Sequence, residues 1–109
     1  MTTQQTFTFR VAEYDRWVCV FLKGAIDVST APGLLGCLQE SLARNPKAVV
    51  LDLSELDYID SVGLGVLVTG HKRAKEAGTR FVLSKPQATL MRLFELTGLN
   101  HVFDIDELG

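Results

Sequence analysis

The feature that most constrains the fold of this chain is a short, continuous apolar run at residues 48–51 (AVVL), which ends at Asp52. A run that does not alternate with polar residues is typical of a strand covered on both faces, as in a parallel sheet packed between helices. A second short run of this kind occupies residues 81–83 (FVL). These two runs predict strands within a sheet.

Segments with helical periodicity alternate with these strands. Apolar residues recur in them at spacings of three and four, which gives each helix one buried face. The first helix is predicted to begin at Ser29 or Thr30 and to stop at residues 45–46, the second to run from near Ser61 to Gly78, and the third from Pro86 to Gly98. The predicted inward residues are Ala31, Leu34, Leu35, Leu38 and Leu42, then Leu64, Leu67, Val68, His71 and Ala74, and finally Leu90, Leu93 and Phe94.

The first part of the chain predicts a β-hairpin. Residues 7–12 alternate between apolar and polar side chains, and residues 17–23 are rich in aromatic and β-branched residues. Residues 14–16 can turn between the two strands, and Gly24 is expected to end the second. We further expect a loop over residues 54–60 and a last short strand at residues 102–103.

The elements therefore follow the order β-β-α-β-α-β-α with short connections. This order is typical of an α/β fold, in which right-handed crossovers join parallel strands. The hairpin makes the sheet mixed. We expect one domain over residues 1–109, with a mixed, mostly parallel sheet of four to five strands and helices packed on it.

Composition and charge exclude several classes of protein. The chain is 47% hydrophobic and therefore has ample apolar surface to bury, which argues against disorder as its main state. Its formal charge is −2, from 11 basic and 13 acidic residues, so it lacks the basic footprint of a nucleic-acid-binding protein. Its apolar stretches are shorter than the roughly 20 residues of a membrane-spanning helix, and residues 1–6 do not resemble a signal peptide. We expect a cytoplasmic protein that binds neither nucleic acid nor membrane.

The metal-ligating residue types are sparse and scattered. Cys19 and Cys37 lie within apolar segments and do not form a CxxC pair, so we expect two buried thiols in a reducing compartment. His71 and His101 are isolated in the sequence. The chain carries neither GxGxxG nor GxxxxGK[ST]. We expect no metal and no cofactor.

Ser61 lies where a predicted helix begins, a place where some hydrolases carry their nucleophile. The nucleophile elbow requires Gly-x-Ser-x-Gly, but Ile59 stands two residues before this serine. A serine nucleophile also needs a histidine base, and His71 lies about 15 Å further along the predicted helix. His101 is not excluded by its position, but nothing in the sequence points to it. We therefore expect no catalytic residues and no enzymatic activity.

Three acids near the predicted strand ends, Asp52, Asp57 and Asp60, leave two interpretations open. Carboxylates in such positions can bind Mg²⁺ or accept a phosphoryl group. They can also cap a helix and complement its dipole, which is the more common role.

Two glycines follow Ser61 in the predicted helix. Gly63 and Gly65 each cost roughly 1 kcal/mol relative to alanine, which indicates close backbone packing or close approach by another molecule. A phosphate on Ser61 would lie at the helix N-terminus, where backbone amides and the dipole favour negative charge. Such a modification would be tolerated without remodelling the fold.

Four segments together carry a family pattern: residues 49–54 (VVLDLS), residues 58–67 (YIDSVGLGVL), residues 22–27 (LKGAID) and residues 93–99 (LFELTGL). In this combination the chain resembles STAS domains and, more narrowly, the bacterial anti-sigma factor antagonists. The resemblance extends from about Phe7 to Ile105. It implies a single STAS domain over residues 1–109, with a mixed sheet flanked by helices.

The same resemblance implies a regulatory function based on Ser61. In that family the serine of Asp-Ser-x-Gly is phosphorylated by a partner kinase that is also the anti-sigma factor, and a PP2C-type phosphatase restores it. The unphosphorylated antagonist binds this anti-sigma factor serine kinase and releases a sigma factor. Val62 departs from the small polar residue that many members carry there, which bears on the choice of kinase.

The residues expected to bind the partner are Asp27, Asp60, Ser61, Val62, Gly63 and Leu64. An alternative is that the chain is a STAS subunit of a larger assembly, such as a lipid transport system, in which Ser61 is never phosphorylated. Phosphopeptide mapping from the native cell separates these two functions.

Overall fold

Five strands and three α-helices alternate along residues 7–106, the part of the chain that this computed structural model describes. The strands are β1 (Phe7–Tyr14), β2 (Trp17–Ile26), β3 (Ala48–Ile59), β4 (Arg80–Ser84) and β5 (Asp104–Asp106). The helices are α1 (Ala31–Ala43), α2 (Ser61–Ala77) and α3 (Ala88–Thr97), and a 3-10 turn covers Leu99–His101.

The strands form one sheet in the order β1-β2-β3-β4-β5. β1 and β2 are antiparallel, and the three remaining pairs are parallel. The predicted hairpin and the mixed, mostly parallel sheet are therefore confirmed. Asp15 adopts a positive φ of 56° in the turn between β1 and β2, which is a conformation that aspartate tolerates better than most residues.

All three helices pack on one face of this sheet. Because each parallel strand is added on the same side of its predecessor, crossovers of a single hand place every helix on the same face. The expectation that residues 48–51 are covered on both faces is therefore wrong. Val50 is only partly buried, and together with Cys19, Phe21 and Val82 it lines a shallow concavity of about 740 Å³ on the face without helices.

The hydrophobic core lies between the other face of the sheet and the helices. Its strand residues include Val20, Leu51 and Leu83, which are fully buried. From the helices it receives Ala31, Leu34, Cys37, Leu38, Leu67, Ala74, Leu90 and Phe94. Most predicted inward residues thus belong to the core or pack against it. Leu35 remains partly exposed, since it lies beside the inward stripe of α1.

The predicted loop over residues 54–60 is instead the second half of β3, which continues to Ile59. Phe21 pairs with Asp52 and Lys23 with Glu55, so β3 gains one residue over β2 at this point. A second extra residue enters further along, where the register shifts between Gly24 and Ala25. Each bulge resets the in-and-out alternation of side chains, so the strand does not show the period of two by which strands are predicted.

Three predicted boundaries also shift. β2 continues past Gly24 to Ile26, and this glycine has a positive φ of 100° beside the second register shift. α3 begins at Ala88 rather than Pro86. The last strand lies at residues 104–106, because the expected strand at residues 102–103 follows directly on the 3-10 turn. By contrast, the start of α2 at Ser61 and its end at Gly78 are confirmed.

Both cysteines are free thiols, Cys37 buried and Cys19 partly buried. Burial raises the pKa of each thiol, so both are protonated and weakly nucleophilic at neutral pH. Between residues 7 and 106, no helix combines the length and apolarity needed to cross a membrane. The same part of the chain contains no cluster of metal-ligating side chains.

A buried hydroxyl joins the loops at the end of the sheet where β3 and β4 begin. Thr79 Oγ1 donates to the carbonyl oxygen of Pro46 at 3.0 Å. We expect Thr79→Val to lower the free energy of unfolding by about 1–3 kcal/mol, because it leaves a buried acceptor without a donor. Thr79→Ser keeps the hydroxyl and should lose about 1 kcal/mol or less. Urea denaturation of the three proteins checks this, and equal losses in the two variants would contradict it.

Candidate functional site

The ends of β2 and β3 place two acids side by side at the carboxyl edge of the sheet. Ile26 and Ile59 are paired in the parallel ladder, so the residues that follow them, Asp27 and Asp60, lie next to each other. The backbone N–H of Asp60 donates to the carbonyl oxygen of Ile26 at 3.0 Å. The two bulges in β3 create this register, and the site therefore depends on them.

Asp60 is the N-cap of α2. Its Oδ1 accepts a hydrogen bond from the backbone N–H of Gly63 at 2.9 Å, and its carbonyl oxygen accepts one from the N–H of Leu64 at 2.9 Å. The carboxylate thus contacts the first turn of the helix and positions Ser61 by holding that turn in place. This arrangement supports the capping interpretation of Asp60.

Ser61 is the first residue of α2, and its side chain is exposed. No hydrogen bond joins its hydroxyl to any other residue between 7 and 106. His71 lies on the same helix but packs edge-on against the rings of Phe81 and Phe103. The serine is therefore accessible to a macromolecule, and His71 is engaged with aromatic rings further along the helix.

The two glycines of the first turns have different environments. A Cβ on Gly63 would lie 2.6 Å from Cγ1 of Ile59 and 2.7 Å from Cγ2 of Ile26, which is closer than real contacts allow. A Cβ on Gly65 would have no neighbour within 4 Å. Close backbone packing thus explains Gly63, which is buried and presents no side chain to a partner. Gly65 lies open on the helix surface.

Asp27 closes a compact turn before α1. Its Oδ1 accepts hydrogen bonds from the hydroxyl of Ser29 at 2.6 Å, from the N–H of Ser29 at 2.9 Å and from the N–H of Thr30 at 3.1 Å. These bonds, led by the one from the Ser29 hydroxyl, lower the pKa of Asp27 below its usual 3.8. The carboxylate is therefore ionised at neutral pH, and the turn before α1 is well ordered.

Three exposed apolar side chains belong to this end of the sheet: Val62 follows Ser61, Tyr58 lines a groove together with Ser61, and Val28 follows Asp27 at the neighbouring strand end. Val28, Tyr58 and Val62 are 69%, 48% and 45% exposed, respectively. Val62 was expected here from the sequence, but Val28 and Tyr58 were not. Tyr58 is the first residue of the family pattern at residues 58–67, whereas Val28 has no signal in the sequence beyond following Asp27.

An apolar groove of about 530 Å³ adjoins Ser61, between the start of α2, the end of β3 and α3. Leu64, which the sequence predicts to bind the partner, is half-buried and lines this groove. The other lining residues include Tyr58, Leu90, Leu93 and Thr97. Leu90 and Leu93 were predicted only as inward residues of a helix, so their place beside Ser61 depends on the packing of α3.

The site is acidic. The ion pairs between residues 7 and 106 involve Glu13, Asp52 and Asp104, so Asp27, Asp57 and Asp60 have no cationic partner within that range. Asp52 lies on the face without helices, 3.9 Å from Nζ of Lys85, and accepts hydrogen bonds from Ser54. The three acids considered from the sequence as a Mg²⁺ or phosphoryl-acceptor group therefore do not converge.

Comparison with known proteins places this geometry in a wider context. The family model described as STAS domain matches residues 8–107. The chain is 36% identical over 86 residues to an anti-sigma-B factor antagonist of Listeria monocytogenes, covering 79% of this chain and 75% of that protein. It is 36% identical over 95 residues to the anti-sigma-B factor antagonist of Bacillus subtilis, covering 87% and 86% of the two chains.

A solved structure shares both the fold and part of the sequence. The crystal structure of an anti-sigma factor antagonist from Mycobacterium paratuberculosis superposes with a TM-score of 0.78 at 33% identity. The match covers 93% of this chain and 86% of that one. The similarity thus includes both the sheet and the helices that position Ser61.

The different environments of the two glycines predict opposite effects of the same substitution. Gly63→Ala should lower the free energy of unfolding by about 1–3 kcal/mol, because the new methyl group must push Ile26 or Ile59 aside. Gly65→Ala should raise it by up to about 1 kcal/mol, because alanine favours the helix and meets no neighbour. Thermal and urea denaturation of both variants check this pair, and losses in both would contradict it.

The lowered pKa of Asp27 predicts a pH dependence of stability. A depressed pKa adds stability above the usual value of 3.8, and this contribution is lost as the pH falls through the folded-state value. Asp27→Asn should therefore be less stable than wild type at pH 7, and the difference should shrink in the acid range. Denaturation from neutral to acid pH measures it, with Ser29→Ala as a variant that removes the main donor. A difference that stays constant with pH would contradict the prediction.

Proposed function

Since the chain belongs to the STAS domain family, we propose that it acts as an anti-sigma factor antagonist. It would bind an anti-sigma factor and thereby release a sigma factor for transcription. Two relatives that are 36% identical to this chain are named anti-sigma-B factor antagonists, which supports the proposal. Since a sigma factor works with RNA polymerase, the protein would act in the cytoplasm.

The single observation that carries the proposal is the exposed hydroxyl of Ser61 at the start of a rigid helix. Asp60 caps that helix and Gly63 lies tightly against the sheet, so the serine is presented in a fixed position. Exposed Val28, Tyr58 and Val62 provide apolar surface around it. Fixed geometry reduces the entropic cost of binding, and apolar surface supplies free energy when it is buried.

The acidic character of the site indicates the chemistry of the partner. Asp27, Asp57 and Asp60 lack a cationic partner between residues 7 and 106, so a partner with lysine or arginine at the matching positions would gain from binding here. Asp27 is held ionised by its turn and would offer such a contact. Leu64 and Val62 would supply apolar contacts beside it, whereas Gly63 would act only by placing the helix.

Phosphorylation of Ser61 would switch this binding off. A phosphate adds about −1.5 to −2 charge at pH 7. At the helix N-terminus the dipole tolerates that charge, so the fold is expected to remain unchanged. At a buried interface, however, the phosphate would add bulk and unpaired charge. A loss of about 4 kcal/mol corresponds to a 1,000-fold weaker affinity.

In this function the protein is a substrate of its partners and not an enzyme. The anti-sigma factor would itself be the serine kinase that modifies Ser61, and a PP2C-type phosphatase would restore the hydroxyl. The carboxylate of Asp60 is engaged with the N–H of Gly63, and His71 packs among aromatic rings. Neither group is placed to activate Ser61 as a nucleophile.

Substitution of Ser61 tests the switch. Ser61→Asp should change the free energy of unfolding by less than about 1 kcal/mol, since the dipole accepts its charge. Its affinity for the anti-sigma factor should fall by about 100-fold to 1,000-fold, because a charge must be desolvated at the interface. Ser61→Ala should bind as wild type and resist phosphorylation. A pull-down with mass identification gives the partner, and calorimetry then measures each affinity.

Gln39→Glu is the matched control, because it adds a negative charge on an exposed part of α1 outside the site. It should leave both stability and affinity unchanged. If the Ser61→Asp protein unfolds, or if it binds the anti-sigma factor as tightly as the Ser61→Ala protein does, then an electrostatic switch at Ser61 is not how this protein works. Full phosphate uptake by Ser61→Ala would show that the acceptor is another residue.

A further inference from the structure

The edge strand β1 is a long, regular strand that pairs only with β2 among residues 7–106. Its ladder runs without interruption from the pair Phe7 and Gly24 to the pair Tyr14 and Trp17. Alternate residues of such a strand direct their backbone N–H and C=O groups away from the partner strand. Half of the eight residues of β1 therefore present these groups at the free edge of the sheet.

The opposite edge of the sheet is protected, and β1 is not. β5 has three residues, of which Asp104 and Asp106 are acidic and exposed. A very short edge strand with charged side chains is a common defence against pairing with another chain. β1 has neither a bulge nor a proline, and its sequence FTFRVAEY is rich in aromatic and β-branched residues. An edge of that kind is a template for pairing.

Apolar side chains are exposed along this edge, on a surface separate from the Ser61 site. Phe9 is 46% exposed and Tyr14 is 60% exposed, and Trp17, opposite Tyr14, is 46% exposed. Val11, near the middle of the strand, is only partly buried. Burying this surface would supply free energy to a contact that the backbone hydrogen bonds direct.

We propose that β1 pairs antiparallel with β1 of a second copy of this chain, about a two-fold axis at Val11, to form a continuous ten-stranded sheet. None of the residues around Ser61 takes part in this contact, and self-association is a property beyond the antagonist function. A two-fold interface is self-complementary, and two-fold dimers are the commonest oligomers. One strand with an open edge therefore supplies both halves of the contact.

Side-chain faces and charges select the register. Residues paired across an antiparallel ladder share a face, so only registers that oppose two odd-numbered or two even-numbered residues of β1 keep both faces aligned. An axis at Arg10 or at Glu13 would place like charges directly opposite each other, which is destabilising. An axis at Val11 avoids both of these like-charge contacts. It also pairs residues 8–14 of the two copies, which is a longer overlap than an axis at Ala12 would give. It places Phe9 opposite Glu13 of the second copy.

This register predicts that charge at position 9 controls dimerisation. In a Phe9→Glu dimer, the new carboxylate would lie opposite Glu13 of the other copy, and the two-fold axis would repeat this like-charge contact. In a Phe9→Lys dimer, the new ammonium group would form an opposite-charge pair with Glu13 at both places. Both variants lose the same aromatic ring, so each is the control for the other. We expect the Glu variant to dimerise at least about tenfold more weakly than the Lys variant. Sedimentation equilibrium over about 1–500 µM measures the dissociation constants.

Cysteine cross-linking tests the register directly, in a Cys19→Ser background. With the axis at Val11, two copies of Val11→Cys lie directly opposite and should form a disulfide-linked dimer on mild oxidation. Two copies of Ala12→Cys lie diagonally across the ladder, about 7–8 Å apart, and should not form a disulfide. A wild-type protein that stays monomeric throughout the concentration range, equal dimerisation of the two Phe9 variants, or preferential cross-linking through Ala12→Cys would each overturn the proposal.

Discussion

The close contact between Gly63 and the ends of two strands is the constraint on which the rest of the site depends. Without a side chain at this position, the first turn of α2 lies directly on Ile26 and Ile59. The N–H of Asp60 bonds to the carbonyl of Ile26, and its carboxylate bonds to the N–H of Gly63, so strand, cap and helix hold one another in place. Ser61 is thus presented by a rigid support, which favours specific recognition because little order is lost on binding.

A rigid support also explains how one modification could change binding without changing the fold. The helix dipole and the free amides of the first turn accommodate negative charge where Ser61 stands. The same charge would be unfavourable at the proposed interface, which already carries Asp27, Asp57 and Asp60 without cationic partners among the described residues. In the proposed function the fold and the interface would therefore respond oppositely to a phosphate, and the response of the interface would carry the regulation.

The one-sided packing of the helices separates the surfaces of the molecule. Within residues 7–106, strands added in one direction leave one face of the sheet without helices and leave β1 as an open edge. Cys19 and Val50 line the uncovered face, while Phe9 and Val11 lie on the edge. Neither surface includes Ser61. As proposed, a single small domain would offer a regulated site at the carboxyl ends of its strands and a separate route to self-association along its edge.

The sequence by itself determined the order of the elements, the hairpin, and the start of a helix at Ser61, because each of these depends on residues close together in the chain. Apolar spacing, turn residues and caps act within a few positions, so their pattern can be read directly. The two bulges in β3 could not be read in this way, because they exist only in the register between β3 and β2, whose paired residues Ile26 and Ile59 are far apart in sequence. Tertiary structure alone therefore decided that residues 54–59 extend a strand, that Asp27 lies beside Asp60, and that Gly63 is a packing residue while Gly65 is not. Side chains from distant segments meet only when the sheet forms, and close packing then determines which positions can carry a side chain.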